Sequence, residues 1–341
     1  MIHGTKAREG DLLETQDKVI FDVKGLVHPP NRIVAFPRFI QDLHGDRKQK
    51  DIVYKKIYAL SERYEFLKKQ FPQYLVSDPV FGIRLCQVPQ KDVKCHYEPC
   101  DYLQKLRHGS KLDELEADAL HFIKLLHNSA NIPWNKLGIS GSLLVRLHTT
   151  NSDIDLIVYG RKNCLEVYDA LLSLMQDKEN PVKPYSRRQL RTLYNFRSRD
   201  TKISFHNFVK TERRKVLQGK FLQRDFFIRC VKDWNEIEEH YGDVVYRKVG
   251  YAKIKATITD DSEALFTPCH YSVGDVQVLG GKCGEAVTEI TSFRGRFCEQ
   301  ARNGETVIVQ GKVEKVQKKN EDTFFRLLLG GKPSDFMVLE K

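Results

Sequence analysis

The sequence has no Cys-x-x-Cys pair, no long hydrophobic run, no low-complexity tract and no internal repeat. Its eight cysteines, at 86, 95, 100, 164, 230, 269, 283 and 298, follow no framework, which argues against a disulfide-stapled secreted scaffold and for reduced, mostly buried thiols. Cys95, His96 and Cys100 alone have ligand-like spacing, and no second half follows at a zinc-finger distance. No stretch approaches a membrane span, and the first thirty residues carry charges throughout with no apolar core of signal-peptide type. The expectation is an uncleaved cytoplasmic protein with no membrane partner. A Walker loop and a GxSxG elbow are also absent, so the chemistry has to be sought elsewhere.

What the chain has in excess is positive charge. The formal balance is +11 over 341 residues, and between positions 183 and 229 fourteen lysines and arginines face three acids, Asp200, Glu212 and Asp225. The remainder is neutral, so the basicity forms one block rather than a diffuse surface property. Tyr185, Tyr194, Phe196, Phe205, Phe208 and Phe221 interleave with its cations, a mixture suited to phosphates and stacked bases. Arg187, Arg188, Arg191, Arg197, Arg213, Arg214 and Lys215 are its candidate nucleic-acid contacts. A solvated helix face with core aromatics is the competing reading.

The stretch 141–158, GSLLVRLHTTNSDIDLIV, organises the rest. If 152–159 is a strand, Asp153 and Asp155 point to one face while Ile154, Leu156 and Val158 point to the other. Two adjacent carboxylates repel each other unless a cation sits between them. Magnesium suits the pair, because it is held by one or two carboxylates plus the phosphates of a substrate. Upstream, 136–140 reads as a short strand ending in Gly141 and Ser142, where a phosphate can approach the backbone. Arg146 and Ser152 lie within the same turn-rich stretch.

GS followed by SDIDLIV at this spacing resembles the signature of the DNA polymerase beta-like nucleotidyltransferase superfamily, and the surrounding words are similar to a mainly archaeal group of predicted nucleotidyltransferases. The resemblance covers about a third of the chain. It implies a mixed-sheet core in which Asp153 and Asp155 hold two magnesium ions, with an NTP as substrate. It also implies a third carboxylate on a later strand, for which Asp225 is chosen over Asp200 and Asp233. Gly141, Ser142, Arg146 and Ser152 would bind the nucleotide. Many relatives have an arginine directly after Gly-Ser, whereas this chain has Leu143 and Leu144, so Arg146 or a cation from Arg187, Arg188 and Arg191 would stabilise the pyrophosphate.

Elsewhere the periodicities predict strands over 12–15, 19–23 and 32–36, then a helix over 61–71 capped by Ser61 and strand-like structure over 75–88. Helices are expected over 115–126 and 164–175. In the basic block, 186–194 and 209–218 read as helical and 202–208 as extended, followed by a strand over 224–231. From about 236 onward around five short strands read as a small barrel or a sandwich, an oligonucleotide-binding barrel among the candidates. The expected fold is α+β in three segments: a small α+β domain over 1–108, the nucleotidyltransferase core over 109–235 with the basic segment 183–229, and an all-β domain over 236–341. The implied activity moves a nucleoside monophosphate from an NTP to a hydroxyl, most readily on RNA. Nucleotidylation of a protein or small molecule, or nucleic-acid binding by an inactive site, remain as alternatives.

Overall fold

Short alternating runs at the N-terminus pair into one sheet. Its strands β1 (Leu12–Thr15), β2 (Ile20–Val23), β3 (Arg32–Gln41), β4 (Arg47–Gln49) and β5 (Ile52–Lys56) run in the order β4-β5-β3-β2-β1, and β8 (Val93–Tyr97) closes the β1 edge. The computed structural model describes residues 6–283, 286–319 and 321–340. Phe21, Val23, Ile33 and Ala35 bury the sheet's inner face under Leu67 of helix α1 (Leu60–Gln70). Ser61 lies inside that helix, whose cap is Ala59. Strand-like structure over 75–88 resolves into β6 (Leu75–Asp78) and β7 (Ile83–Pro89), the latter pairing with β3.

A second, five-stranded sheet has the order β11-β12-β13-β10-β9. It comprises β9 (Leu137–Ile139), β10 (Ile154–Tyr159), β11 (Val182–Lys183), β12 (Gln218–Phe221) and β13 (Arg224–Val231). Strand β10 is parallel to β13 and antiparallel to β9. Helices α2 (Pro99–His108), α3 (Glu114–Ala130), α4 (Gly141–Leu144) and α5 (Arg161–Gln176) accompany it. Asp113 and Glu116 start α3 with a reciprocal capping box, and Phe122 of α3 stacks on Phe221 at 4.5 Å.

Contacts divide the chain into two units. One is Met1–Val76 with Arg84–Lys183 and Leu217–Glu238; the other is Ser77–Ile83 with Pro184–Val216 and Glu239–Lys341. The N-terminal sheet and the aspartate-bearing sheet therefore share a unit, instead of forming separate segments divided near 108. Apolar packing and buried polar bonds join them: Leu26 packs on Ile157, Tyr159 and Val231, and the Ser140 hydroxyl donates to Gly10 O at 2.6 Å.

The second unit takes most of the basic block, as helices α6 (Arg187–Arg197) and α7 (Phe205–Glu212). Ser186 caps α6 as a capping box. The 202–208 stretch is not extended: Ser204 accepts from Asn207 N to start α7, and Phe205 and Phe208 both pack edge-on to Tyr194. Helix α7 ends at Glu212, short of the expected 218.

Strands β14 (Val244–Asp260), β15 (Cys269–Gly281), β16 (Val287–Ser292), β17 (Thr306–Lys318) and β18 (Phe324–Leu329) close a barrel in the order β14-β15-β16-β18-β17, with β14 pairing back to β17. Strand β19 (Phe336–Leu339) adds to β17. The chain is thus an α+β protein with mixed sheets in which strand predominates. Among the described residues no helix is long and apolar enough to cross a membrane.

Candidate functional site

Asp153 immediately precedes β10, and Asp155 is its second residue. Between the apolar Ile154 and Leu156, both fully buried, the alternation of the strand leaves the two carboxylates together on one face at its mouth. Ser140 N donates to Asp155 O at 2.9 Å, which ties the Gly-Ser turn to the strand. Gly141 takes a φ of +64°, and a Cβ there would collide with the Asp155 carboxylate. Both the left-handed backbone and the close approach require glycine. Ser142 is 1% exposed, and its Oγ has no hydrogen-bond partner among the described residues.

Burial, and then the charge of Asp153, push the Asp155 carboxyl up to about 6, against the pull of Lys56, Arg229 and Arg38. Such a carboxylate is short of positive charge. Of these cations Arg229 has work of its own: it donates to the fully buried Glu9 at 2.7 Å, and Glu9 also takes Lys24 Nζ at 2.9 Å and Gly25 N at 2.8 Å. Burial works to raise the Asp22 carboxyl, but Lys24, Arg229, Arg63 and Arg38 outweigh it and hold Asp22 well below the usual carboxylate range. Cations and carboxylates thus alternate behind the aspartate pair.

The N-terminal hairpin β4–β5 braces the loop between Gly-Ser and the aspartates. Arg47 donates to Leu147 O at 2.6 Å and to Ser152 Oγ at 3.4 Å, and Gln49 Nε2 donates to Val145 O at 2.9 Å. Ser152 Oγ also accepts from Thr149 N at 2.9 Å, so its visible role is to shape the turn. Arg146 is exposed, at a φ of +52°, and its charge acts on Tyr102.

Strands β10 and β13 run in parallel register, Ile154 opposite Phe226 and Asp155 opposite Phe227, and Asp153 and Asp225 are the residues that precede the first of these pairs. The Asp225 side chain is half-exposed and pairs with Lys220 across β12 at 3.0 Å. The two other acids are engaged elsewhere. Asp233 lies beyond the far end of β13, six residues and so about 20 Å along the strand from Asp155's neighbour, where it pairs with Arg8 and Lys136 and caps the turn at Trp234. Asp200 belongs to the second unit and is clamped by Arg294 and Arg296, each at 3.0 Å.

The seven cations proposed for nucleic acid all fall in the second unit and divide by environment. Arg197 and Lys215 both pair with the buried Glu212 at 2.7 Å, and Arg214 pairs with Glu305. Those three hold that unit together. Arg187, Arg188, Arg191 and Arg213 are exposed, Arg191 lying over the Phe205 ring.

Two groups among the described residues could hold a metal ion: Asp11, His96 and Glu98, and Asp113, Glu116 and His148. In the first, His96 Nε2 lies 2.9 Å from Asp11 Oδ2, while Cys95 and Cys100 turn to backbone carbonyls. In the second, two of the three ligands are already committed to the α3 capping box.

Sequence reasoning missed Lys56, Arg38, Arg229 and Arg47. The available signal was alternation, since Tyr54 and Lys56 share a face of β5.

Fold and site together define a two-unit α+β protein with an aspartate pair at a strand mouth, backed by cations from an N-terminal sheet. The chain is 30% identical over 335 residues to uncharacterized protein MJ1086 of the archaeon Methanocaldococcus jannaschii, covering 95% of this chain and 96% of that protein, and it belongs to the same family. No protein-family model matches the chain, and no solved structure matches it.

Proposed function

We propose that the protein is a magnesium-dependent nucleotidyltransferase that moves a nucleoside monophosphate from an NTP to a hydroxyl, with RNA as acceptor and pyrophosphate as leaving group. The observation that carries this reading is the Asp155 carboxylate lodged against Gly141, with Asp153 beside it. A hard, oxygen-only donor pair whose members repel each other fits magnesium. Magnesium, when bound, supplies the charge that neutralises phosphate oxygens and eases deprotonation of the attacking hydroxyl.

Asp153 and Asp155 would hold that ion and so orient the triphosphate end. Ser142 Oγ, buried and without a partner, is available to a phosphate oxygen. The parallel pairing of β13 with the aspartate strand supports Asp225 as the third ligand, and on releasing Lys220 its carboxylate would take the hydroxyl proton. The pair as it stands suits one ion, and a second needs that release. The ion pair is open to solvent on the Asp225 side and is worth little, so the exchange costs little.

Two features of the second unit support RNA as acceptor. Helix α6, RRQLRTLYNFR, has no acid and exposes Arg187, Arg188 and Arg191. The barrel has the closed five-strand order of the oligonucleotide-binding fold, whose strands and loops bind single-stranded nucleic acid.

The test is to incubate the protein with each α-labelled NTP, magnesium and total RNA, lysate protein or no acceptor. Label on RNA that disappears in Asp153→Ala is expected. Label on protein or a metabolite would move the acceptor to that class, and RNA binding with no transfer under any condition would defeat the enzymatic reading.

A further inference from the structure

Lys56 is 8% exposed, yet among the described residues its ammonium makes no hydrogen bond and has no carboxylate within 4 Å. Its stem is buried, while the nitrogen is not among the fully buried unpartnered atoms and so keeps access to a solvent-borne ligand. Its neighbours are aromatic rings, Tyr58 at 5.1 Å and Phe39 at 5.9 Å from the nitrogen, which tolerate a cation without satisfying its three donors. Its direction follows from the strand. Lys56 shares a face of β5 with Tyr54, and Tyr54 lies opposite Arg47, whose guanidinium reaches Ser152 next to Asp153. The unpaired ammonium therefore faces the loop that carries the aspartates, and its charge acts on Asp155.

Arg38 reaches the same place by an irregularity. Ile20 pairs with Phe39 but Phe21 with Pro37, which makes Arg38 the extra residue of a β-bulge, a device that re-aims a side chain. It donates to Ile57 O at 3.3 Å, covers the Tyr58 ring at 4.9 Å, forms no ion pair among the described residues, and acts on both Asp155 and Asp22.

We infer that Lys56 and Arg38 grip the terminal phosphates of the nucleotide, so that the sheet ahead of the Gly-Ser signature completes the triphosphate site. This rests on the nucleotidyltransferase reading above, and it replaces the missing arginine after Gly-Ser with cations supplied by another sheet of the same unit.

The experiment measures binding of inorganic tripolyphosphate to the full chain by calorimetry in EDTA, where only protein cations can hold it, alongside transfer of labelled NTP in magnesium. Lys56→Gln and Arg38→Gln are each expected to weaken tripolyphosphate at least tenfold and to raise the KM for NTP, with Lys56→Arg keeping most of the affinity. Asp155→Asn should bind it as tightly as the wild type or tighter. Thermal melting separates misfolding from lost binding: Lys56→Met, which keeps the buried stem and removes a charge with no carboxylate partner among the described residues, should melt no lower than the wild type. Unchanged tripolyphosphate affinity in Lys56→Gln and Arg38→Gln, or none in the wild type, overturns the inference even where transfer proceeds. Lys56-dependent binding with no transfer to any acceptor upholds the phosphate site and defeats the nucleotidyltransferase reading instead.

Discussion

The carboxylate of Asp155 occupies the space that a side chain at Gly141 would need. The turn and the strand are therefore fitted to each other, and the Gly-Ser turn cannot change without displacing the aspartate. Gly141→Ala meets both a left-handed φ and that collision. It is expected to cost about 1–3 kcal/mol in urea unfolding and to abolish transfer. Gly304→Ala, where φ is also positive but a Cβ meets open space, is the control and should leave transfer unchanged.

Asp155 makes stability depend on pH in an unusual direction. Its native pKa, about 6, lies above the ordinary carboxylate value, so between about pH 4 and 6 the folded state binds more protons than the unfolded one. Its contribution to stability is therefore present at low pH, falls as the pH rises through that window, and is level above it. Asp155→Asn in EDTA at pH 7.5 is expected to exceed the wild type by roughly 1–3 kcal/mol, with the gap closing at pH 4. Magnesium should raise the melting midpoint of the wild type at pH 7.5, do little at pH 5, and do nothing for the variant. Equal stability of the two proteins at both pH values would contradict the assignment.

Arg47 couples the N-terminal hairpin to the aspartate loop through Leu147 O and Ser152 Oγ. Arg47→Ala leaves a buried carbonyl without its donor and should lose about 1–3 kcal/mol, with a fall in transfer. Lys48→Ala, on the exposed opposite face of the same strand, should stay within about 0.5 kcal/mol. Chemical denaturation of both variants decides whether the hairpin is a brace or merely a neighbour.

Asp225 and Lys220 test the third ligand. Because their ion pair is partly exposed, Lys220→Gln should shift stability by less than about 1 kcal/mol while lowering the magnesium concentration needed for half-maximal transfer. Asp225→Asn should abolish transfer. Wild-type rates in Asp225→Asn would leave the aspartate pair without a third carboxylate on β13.

Local chemistry made much of this legible in advance. The strand over 224–231, the helical stretch from 186 and the helix facing the second sheet all follow from periods that need no knowledge of distant partners. The misreading at 202–208 was also local: TKISFHNF alternates well enough for a strand, but Phe205 and Phe208 at helical spacing found a shared partner in Tyr194. Packing overrode alternation.

What the amino-acid order determined by itself is the aspartate pair on one face of a short strand and the glycine-serine turn ahead of it, because strand parity and backbone freedom are properties of neighbouring residues. Only the folded chain decided which charges matter. It paired Arg197, Arg214 and Lys215 away within one unit, laid the strand that carries Asp225 parallel to the aspartate strand, and brought Lys56, from a sheet a hundred residues earlier, to where its charge acts on Asp155. Charge acts through space, and the spatial neighbours of a side chain are fixed by how sheets pack, which no local pattern records.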